Sequence, residues 1–247
     1  MALKHLSEFK QLLAGKPARR LVLAAAQDHN SLSSVLRAAN DGFIDPILVG
    51  KKEEIYNLAA QNNFDLTGVR VVHEPDSEMA IEIAVRMVRS NQADILMKGK
   101  VGTSNLLKGV LNKEWGLRSG ALLSHIAIFE VEAYHKLIAV TDVAMNIAPN
   151  LKDKISIVNN SVACLNKLGI KMPKVAVLGA VEMVSENMQA TLDAALLSKM
   201  NQRDQIRNCI IDGPLAFDNA ISFESARHKG IRSDVAGDTD LLVMPDI

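Results

Sequence analysis

Leu21-Val22-Leu23-Ala24-Ala25, then Ser31 to Asn40, then Pro46-Ile47-Leu48-Val49 is the stretch on which the fold turns. It reads as an apolar run too short for a helix, a segment of helical period, and a second short apolar run. Parallel strands need a crossover between them, usually a helix, so this triplet is the repeating unit of a parallel sheet. Asn30 or Ser31 is the expected cap of the first crossover helix and Gly42 its stop. The alternation continues with a helix from Lys52 to Gln61 and a strand from Val69 to Val72. Asp76 then caps a helix running from Ser77 to Asn91, whose Met79, Ile83 and Met87 recur at i, i+4 and i+8. A strand from Asp94 to Met97 follows. It leads into a Gly-rich loop, Lys98-Gly99-Lys100-Val101-Gly102-Thr103, and a helix from Ser104 to Leu111. Ahead of the triplet, Leu6, Phe9, Leu12 and Leu13 share one face of a helix over Leu3 to Leu13, stopped by Gly15.

The second half opens differently. Ile126 to Phe129 and Leu137 to Val140 are separated only by a short polar stretch, Glu132 to Lys136 among it, which suits a hairpin better than a crossover. Alternation then resumes: a helix from Leu151 to Leu168 stopped by Gly169, a strand Val175–Leu178, a helix Ser185–Met200 and a strand Asn208–Ile211. A loop through Asp212 to Asp218, a helix reaching Lys229 and a strand Leu241–Met244 complete it. The expectation is an α/β protein with mostly parallel sheets covered on both faces. The break near Gly116 to Ser124 divides it into a first α/β domain, residues 1–120, and a second, residues 121–247.

Composition narrows the function. The 247 residues carry 28 Lys plus Arg against 28 Asp plus Glu, a balance that does not suit a chain built to coat nucleic acid or an anionic membrane. At 4% aromatic there are few rings for stacking bases. Two cysteines make no disulfide framework, and the six histidines show no paired spacing for a metal. No run of about 18 apolar residues spans a membrane, and the start of the chain has no signal-type apolar core, so a cytoplasmic protein is expected. Cys164 and Cys209 sit in apolar surroundings and read as core residues. There is no G-x-S-x-G, no Walker A loop and no G-x-G.

In open α/β sheets, ligands bind beyond the carboxyl ends of the strands. The polar residues there are Gln27, Asp28 and His29; His73 and Glu74; Lys98, Gly99 and Thr103; Thr141 and Asp142; Glu182; Asp212 and Gly213; and Asp246. A lone Asp at such a point is ordinarily a turn or cap residue. Several strands delivering polar groups to one edge point to a polar crevice. The segment Lys98 to Ser104 stands out: Gly99 and Gly102 let backbone approach a ligand, and the start of the next helix offers N–H groups to an anion such as phosphate. Ser124 and His125 adjoin before a strand, where neighbours point to opposite faces, so a direct Ser–His relay is not expected.

These residues carry a resemblance. Lys98-Gly99-x-x-Gly102-Thr103, Arg118-Ser119-Gly120-Ala121-Leu122-Leu123-Ser124-His125 and Thr141-Asp142-Val143-Ala144-Met145-Asn146-Ile147-Ala148-Pro149 resemble the phosphate acetyl/butyryltransferase family, its butyryl branch most nearly. So do Ala180-Val181-Glu182, Asp212-Gly213-Pro214-Leu215-Ala216-Phe217-Asp218 and the segment Asp234 to Asp246. The resemblance implies two α/β domains with a cleft between them, as in isocitrate and isopropylmalate dehydrogenases. It also implies reversible transfer of a short acyl group between coenzyme A and inorganic phosphate by direct displacement in a ternary complex. Acyl-CoA and phosphate are then substrates, with no permanently bound cofactor or metal, and a homo-oligomer is expected. The substrate-binding set expected is Lys98, Gly99, Gly102, Thr103, Ser104, Ser124, His125, Asp142, Asn146, Glu182, Asp212, Gly213 and Pro214. Asp142, Asn146, Glu182 and Asp212 are expected to line one crevice with His125 nearby. The family's Ser-Arg pair and basic carboxylate follow the Pro-Asp segment. No Ser-Arg dipeptide occurs here, so no catalytic residue is assigned, and a chain ending at Ile247 is expected to have negligible transferase activity. Two other readings share the pattern: a CoA- or phosphate-binding protein without turnover, and a metal-dependent hydroxyacid dehydrogenase of the same fold.

Overall fold

A computed structural model describes residues 4–247. Its chain divides into two compact units, one from Leu13 to Gly120 and one from Ala121 to Ile247 joined by the chain as far as Leu12. Helix α1 is Glu8–Leu13; the expected start at Leu3 lies outside the described residues, and residues 4–7 are not helical. The start of the chain packs with the later unit: Glu130 takes Leu6 N–H at 2.9 Å and His5 Nδ1 at 2.7 Å.

The Leu13–Gly120 unit holds β1 Arg19–Ala24, α2 His29–Asn40, β2 Ile44–Gly50, α3 Lys52–Gln61, β3 Arg70–His73, α4 Ser77–Arg89, β4 Ile95–Lys98 and α5 Thr103–Val110. Its four strands lie in the order β3-β2-β1-β4, and every pairing is parallel. Alternate residues of a strand face opposite sides, and both sides are buried. Val22, Ala24, Ile47 and Val49 pack under Ala80, Ile81, Ala84 and Val85 of α4. Leu21, Leu23 and Leu48 pack under Leu32, Val35 and Leu36 of α2 and Ile55 of α3. Burial of each of these Val, Leu and Ile side chains contributes about 1.5–3 kcal/mol. The cap of α2 is Asp28, whose carboxylate accepts from Ser31 N–H, and neither Asn30 nor Ser31.

The other unit holds β5 Ala127–Phe129, β6 Ile138–Thr141, α6 Leu151–Lys167, β7 Lys174–Leu178, α7 Gln189–Gln202, β8 Ile210–Leu215, α8 Phe217–Ile221, α9 Phe223–His228 and β9 Leu241–Val243. The order is β5-β6-β9-β7-β8; β5 and β6 form the antiparallel hairpin, and the rest are parallel. Helices α6 and α7 cover the face carrying Ala139, Val175, Val177, Ile211, Leu241 and Val243. The opposite face carries Ile138, Ala176, Leu178, Leu215 and Leu242 beneath Ala220, Ala226, Val235 and Ala236.

Three boundaries differ from expectation, each for a local reason. Helix α7 starts at Gln189 because Thr191 Oγ1 bonds both the N–H and the carbonyl of Ser185 and closes Ser185–Met188 into a turn. Strand β8 starts at Ile210, after Asn208 turns the chain at φ 62°, and runs on through Leu215. Asp212, Gly213 and Pro214 therefore lie inside a strand, not in the loop beyond it. The helix expected to reach Lys229 is two short ones, because Ser222 is extended and caps the second through Ser225 N–H. Cys209 is buried and burial pushes its thiol up to about 11, as a core cysteine should be.

Two charged groups of contacts tie this unit together. Lys154 of α6 and Asp193 of α7 form an ion pair at 2.6 Å, both side chains about 95% or more enclosed, with Gln189 Nε2 on the second carboxylate oxygen at 2.8 Å. At the amino edge of the sheet, Lys136 bridges Asp238 at 2.8 Å and Asp240 at 2.7 Å, while Lys174 and His135 also hold Asp238. Burial pushes the Asp238 carboxyl up, but these three hydrogen bonds outweigh it and hold the group well below its ordinary value of 3.8.

Removing one partner of a buried pair leaves an uncompensated charge. Lys154→Met should therefore cost about 3–5 kcal/mol, and Lys154→Met with Asp193→Leu should recover most of it; chemical denaturation measures both. A carboxyl depressed in the folded state contributes stability above its unfolded pKa that is lost as pH falls toward the folded one. The protein should thus lose stability below about pH 4, and Asp238→Asn should be about 1–3 kcal/mol less stable at pH 7 with a shallower acid loss. Parallel pH curves for the two proteins would refute this.

Candidate functional site

The carboxyl end of β6 gathers four of the residues that the sequence singles out. Because β5 runs antiparallel to β6, with Ala127 opposite Val140, the residues just before β5 lie beside those just after β6. Thr141 Oγ1 donates to the His125 carbonyl at 2.6 Å. The Asp142 side chain, 97% buried as part of a residue 3% exposed, accepts from Ala144 N–H and Met145 N–H at 3.0 Å each and from Asn146 Nδ2 at 2.5 Å. Burial alone would raise the Asp142 carboxyl; those bonds hold it below its ordinary value. Its lone pairs are committed to backbone and amide donors.

Two asparagines grip the segment ahead of β5. Asn146 Nδ2 also reaches the Leu123 carbonyl at 3.1 Å. Asn160, on α6, donates to the Leu122 carbonyl at 2.9 Å and to Ser124 Oγ at 3.0 Å. Asn160 is the residue sequence reading misses: its partners precede it by 38 and 36 residues, and no local spacing marks it. Ser124 makes no bond to His125, as expected for neighbours on a chain entering a strand. His125 itself is half-buried, with Nδ1 enclosed and unpartnered.

Glu182 and Asp212 do not join this group. Glu182 follows β7 and lies 3.4 Å from Asn219 Nδ2 and from Lys229 Nζ, which also meets Asp218. Asp212 pairs in register with Ala176, which pairs with Leu242, so it lies in β8, three strands from β6. That is roughly 14 Å at about 4.8 Å per strand. Its carboxylate accepts from Gly213 N–H at 2.8 Å. Gly213 answers a packing demand: a Cβ there would meet the Val177 carbonyl at 2.6 Å and Ala194 Cβ at 3.2 Å. Pro214 follows it through a cis peptide bond. Asp142 and Asn146 thus follow β6, Glu182 follows β7, and Asp212 lies within β8, level with Val140, with no side-chain bond between the three sites.

In the Leu13–Gly120 unit, the segment from Lys98 to Ser104 leaves the carboxyl end of β4 and folds back along β1. Gly99 N–H donates to Ala24 O at 2.8 Å and Lys100 N–H to Ala25 O at 2.9 Å. A Cβ on Gly99 would sit 2.2 Å from the Ala25 carbonyl oxygen, so this glycine serves the approach of loop to strand. Gly102 differs. It is the N-cap of α5 with no side-chain cap bond, and a Cβ on it would come no closer than 3.8 Å to Ser104 Oγ. The start of α5, with exposed Thr103 and Ser104, is open. Lys98 Nζ reaches the Val101 carbonyl at 3.2 Å, and its charge helps to lower the Asp28 carboxyl after the larger effect of Ser31. Gln27 packs over Gly50 at the same edge with Oε1 enclosed and unpartnered.

Among the described residues, no group of three or more His, Cys, Asp or Glu is placed to hold a metal ion, and no helix is long and apolar enough to cross a membrane.

Comparison with known proteins gives this geometry its context. The family model described as phosphate acetyl/butaryl transferase matches residues 77–247. The phosphate butyryltransferase of Clostridium acetobutylicum is 45% identical over 245 residues, which is 99% of this chain and 81% of that protein. The phosphate acetyltransferase of Thermotoga maritima is 38% identical over 98% of this chain and 82% of its own length. The crystal structure of a branched-chain phosphotransacylase from Enterococcus faecalis V583 superposes with a TM-score of 0.78 at 30% identity, over 92% of this chain and 79% of that one. Family match, near full-length identity and shared fold agree: the chain belongs to the phosphate acetyl/butaryl transferase family.

Proposed function

We propose that this protein transfers a short acyl group, butyryl or one of similar length, between coenzyme A and inorganic phosphate. The observation that carries the reading is the 45% identity to a phosphate butyryltransferase across nearly the whole chain. A second phosphate butyryltransferase, from Clostridium beijerinckii, is 44% identical over 99% of this chain and supports the same acyl class. Acyl-CoA and phosphate are the substrates, and the reaction is a direct displacement with both bound. A cytoplasmic place of action suits a CoA substrate, and a homo-oligomer remains the expected assembly.

The two carboxyl edges take separate tasks. The open start of α5, after Gly102, receives a phosphoryl group: unpaired N–H groups of a first helical turn and the Thr103 hydroxyl are the donors, with Lys98 and Lys100 supplying charge nearby. The edge at β6 supplies a rigid frame. Asp142, Asn146 and Asn160 fix the carbonyls of residues 122 and 123 and the Ser124 hydroxyl, so the backbone there is held before substrate arrives. Glu182, Asp212, Gly213 and Pro214 are assigned to the support of the strands that carry this edge.

Release of CoA from butyryl-CoA on addition of phosphate, without metal or nicotinamide, tests the reading against the expectation of negligible activity drawn from the missing Ser-Arg pair; a rate no greater than without phosphate would overturn it. Thr103→Val should raise KM for phosphate about 5-fold, the worth of one hydrogen bond of about 1 kcal/mol, with kcat little changed. An unchanged phosphate KM would remove α5 from the site. Asn160→Ala should lower kcat about 10-fold or more by loosening Ser124, while Asn160→Ala with full activity would show that its grip is structural only.

A further inference from the structure

We propose that His125 is a catalytic hydrogen-bond donor that offers Nε2–H to the acyl carbonyl oxygen. The inference rests on the transferase reading and deepens it. The ring's setting is unusual for a histidine near polar groups. Its backbone carbonyl is held by Thr141 Oγ1 at 2.6 Å, at the end of β6. Nδ1 is enclosed and has no partner, whereas Nε2 is not among the enclosed orphans and takes no protein bond, so it is the open corner of the ring.

A neutral imidazole has one N–H and one lone pair, and its neighbours decide which nitrogen carries the proton. A buried N–H without an acceptor is the rarer and costlier orphan, compared with a buried acceptor without a donor. The proton therefore resides on Nε2. The carboxylate that would usually orient or charge such a ring, Asp142, is occupied by Ala144, Met145 and Asn146, and is closed to the imidazole. Nor does Ser124 bond the ring; its hydroxyl oxygen accepts from Asn160 Nδ2. What remains is a preorganised N–H donor with no protein acceptor, which is what a developing oxyanion needs.

In the acyl-phosphate-forming direction, a phosphate oxygen adds to the thioester carbonyl and the C=O π pair moves onto oxygen. Nε2–H holds that oxyanion. The pair then returns, the C–S bond breaks, and the thiolate leaves and gains the proton that phosphate gives up. His125 keeps its own proton throughout.

The choice of amide substitutes separates this role from others. Gln places its side-chain N–H where Nε2–H lies, and Asn places it at the position of Nδ1. His125→Ala should lower kcat about 10²–10³-fold with KM for butyryl-CoA and phosphate little moved. His125→Gln should restore at least 10-fold of that loss, and His125→Asn should restore none. Near-normal kcat in His125→Ala, a loss confined to KM, or rescue by Asn and not by Gln would each overturn the proposal. NMR of the histidine ring nitrogens in the unaltered protein reads the tautomer without any turnover: protonated Nε2 is expected, and protonated Nδ1 would overturn the proposal. Thermal melts confirm that each variant is folded. If the unaltered chain does not transfer butyryl to phosphate, the transferase reading falls and takes the donor role with it; turnover with an indifferent His125→Ala ends this inference alone.

Discussion

The Asp142 carboxylate is the interaction on which the candidate site depends. It sits where β6 ends, is almost wholly removed from water, and would be costly there as a bare charge. Three donors make it tolerable: two backbone N–H groups of the turn that follows and the Asn146 amide. Each of those bonds also fixes something else. The first two shape the turn from Asp142 to Asn146, and beside them Thr141 Oγ1 on the His125 carbonyl ties the entry of β5 to the exit of β6. Asn146 then passes the constraint on to the Leu123 carbonyl. One buried charge thus imposes order on two stretches of chain that meet at the carboxyl edge of the sheet. Buried polar networks of this kind are strong when every member is satisfied and weak when one is not.

The two edges of the later sheet divide the work. At the amino edge, Lys136, Lys174 and His135 surround Asp238, and Lys136 also meets Asp240. Every charge there has a protein partner, which is the signature of a structural clamp. At the carboxyl edge the balance is different, since His125 Nδ1 is left without a partner and Nε2 without a bond. Unsatisfied groups cost stability, so they persist where something other than stability is at stake. The strand-end rule for open α/β sheets says which edge that should be, and His125 lies at it.

Much of this was legible in the order of residues. The parallel sheets follow from strand–helix alternation, and the hairpin from the short gap between Phe129 and Leu137. Asp76 and its helix are local facts, since a cap and its N–H partners lie two or three residues apart. What sequence could not give is decided by contacts between distant residues. Nothing near Asn160 announces that it holds Leu122 and Ser124. The placement of Asp212 inside β8 needs the observation that Asn208 turns the chain and Asn201 Oδ1 then takes the Ile211 N–H, so that pairing with β7 continues past the point where polar residues suggested a loop. Gly99 and Gly102 look alike in a string of letters. Only the fold shows that one makes room for the Ala25 carbonyl and that a Cβ on the other would meet nothing closer than Ser104 Oγ at 3.8 Å.

That last contrast bears on how resemblance converts into mechanism. A motif marks residues that recur together, and it does not say which of them meet substrate. Within Asp212-Gly213-Pro214, the glycine is needed because Val177 and Ala194 leave no space for a Cβ. The aspartate bonds its neighbour's N–H, and the three hold an edge strand in place. Within Ser124-His125 and Asp142 to Asn146, the aspartate and asparagine are consumed by the frame and the imidazole is not. Acyl transfer to phosphate does not require the enzyme to form a covalent bond, because both reacting partners are supplied from solution. It requires that they be held still and that charge on the carbonyl oxygen be met by donors already in position. A site whose acids are tied up in orientation, with one ring nitrogen left open, is suited to that demand, and unsuited to a nucleophilic relay through Ser124.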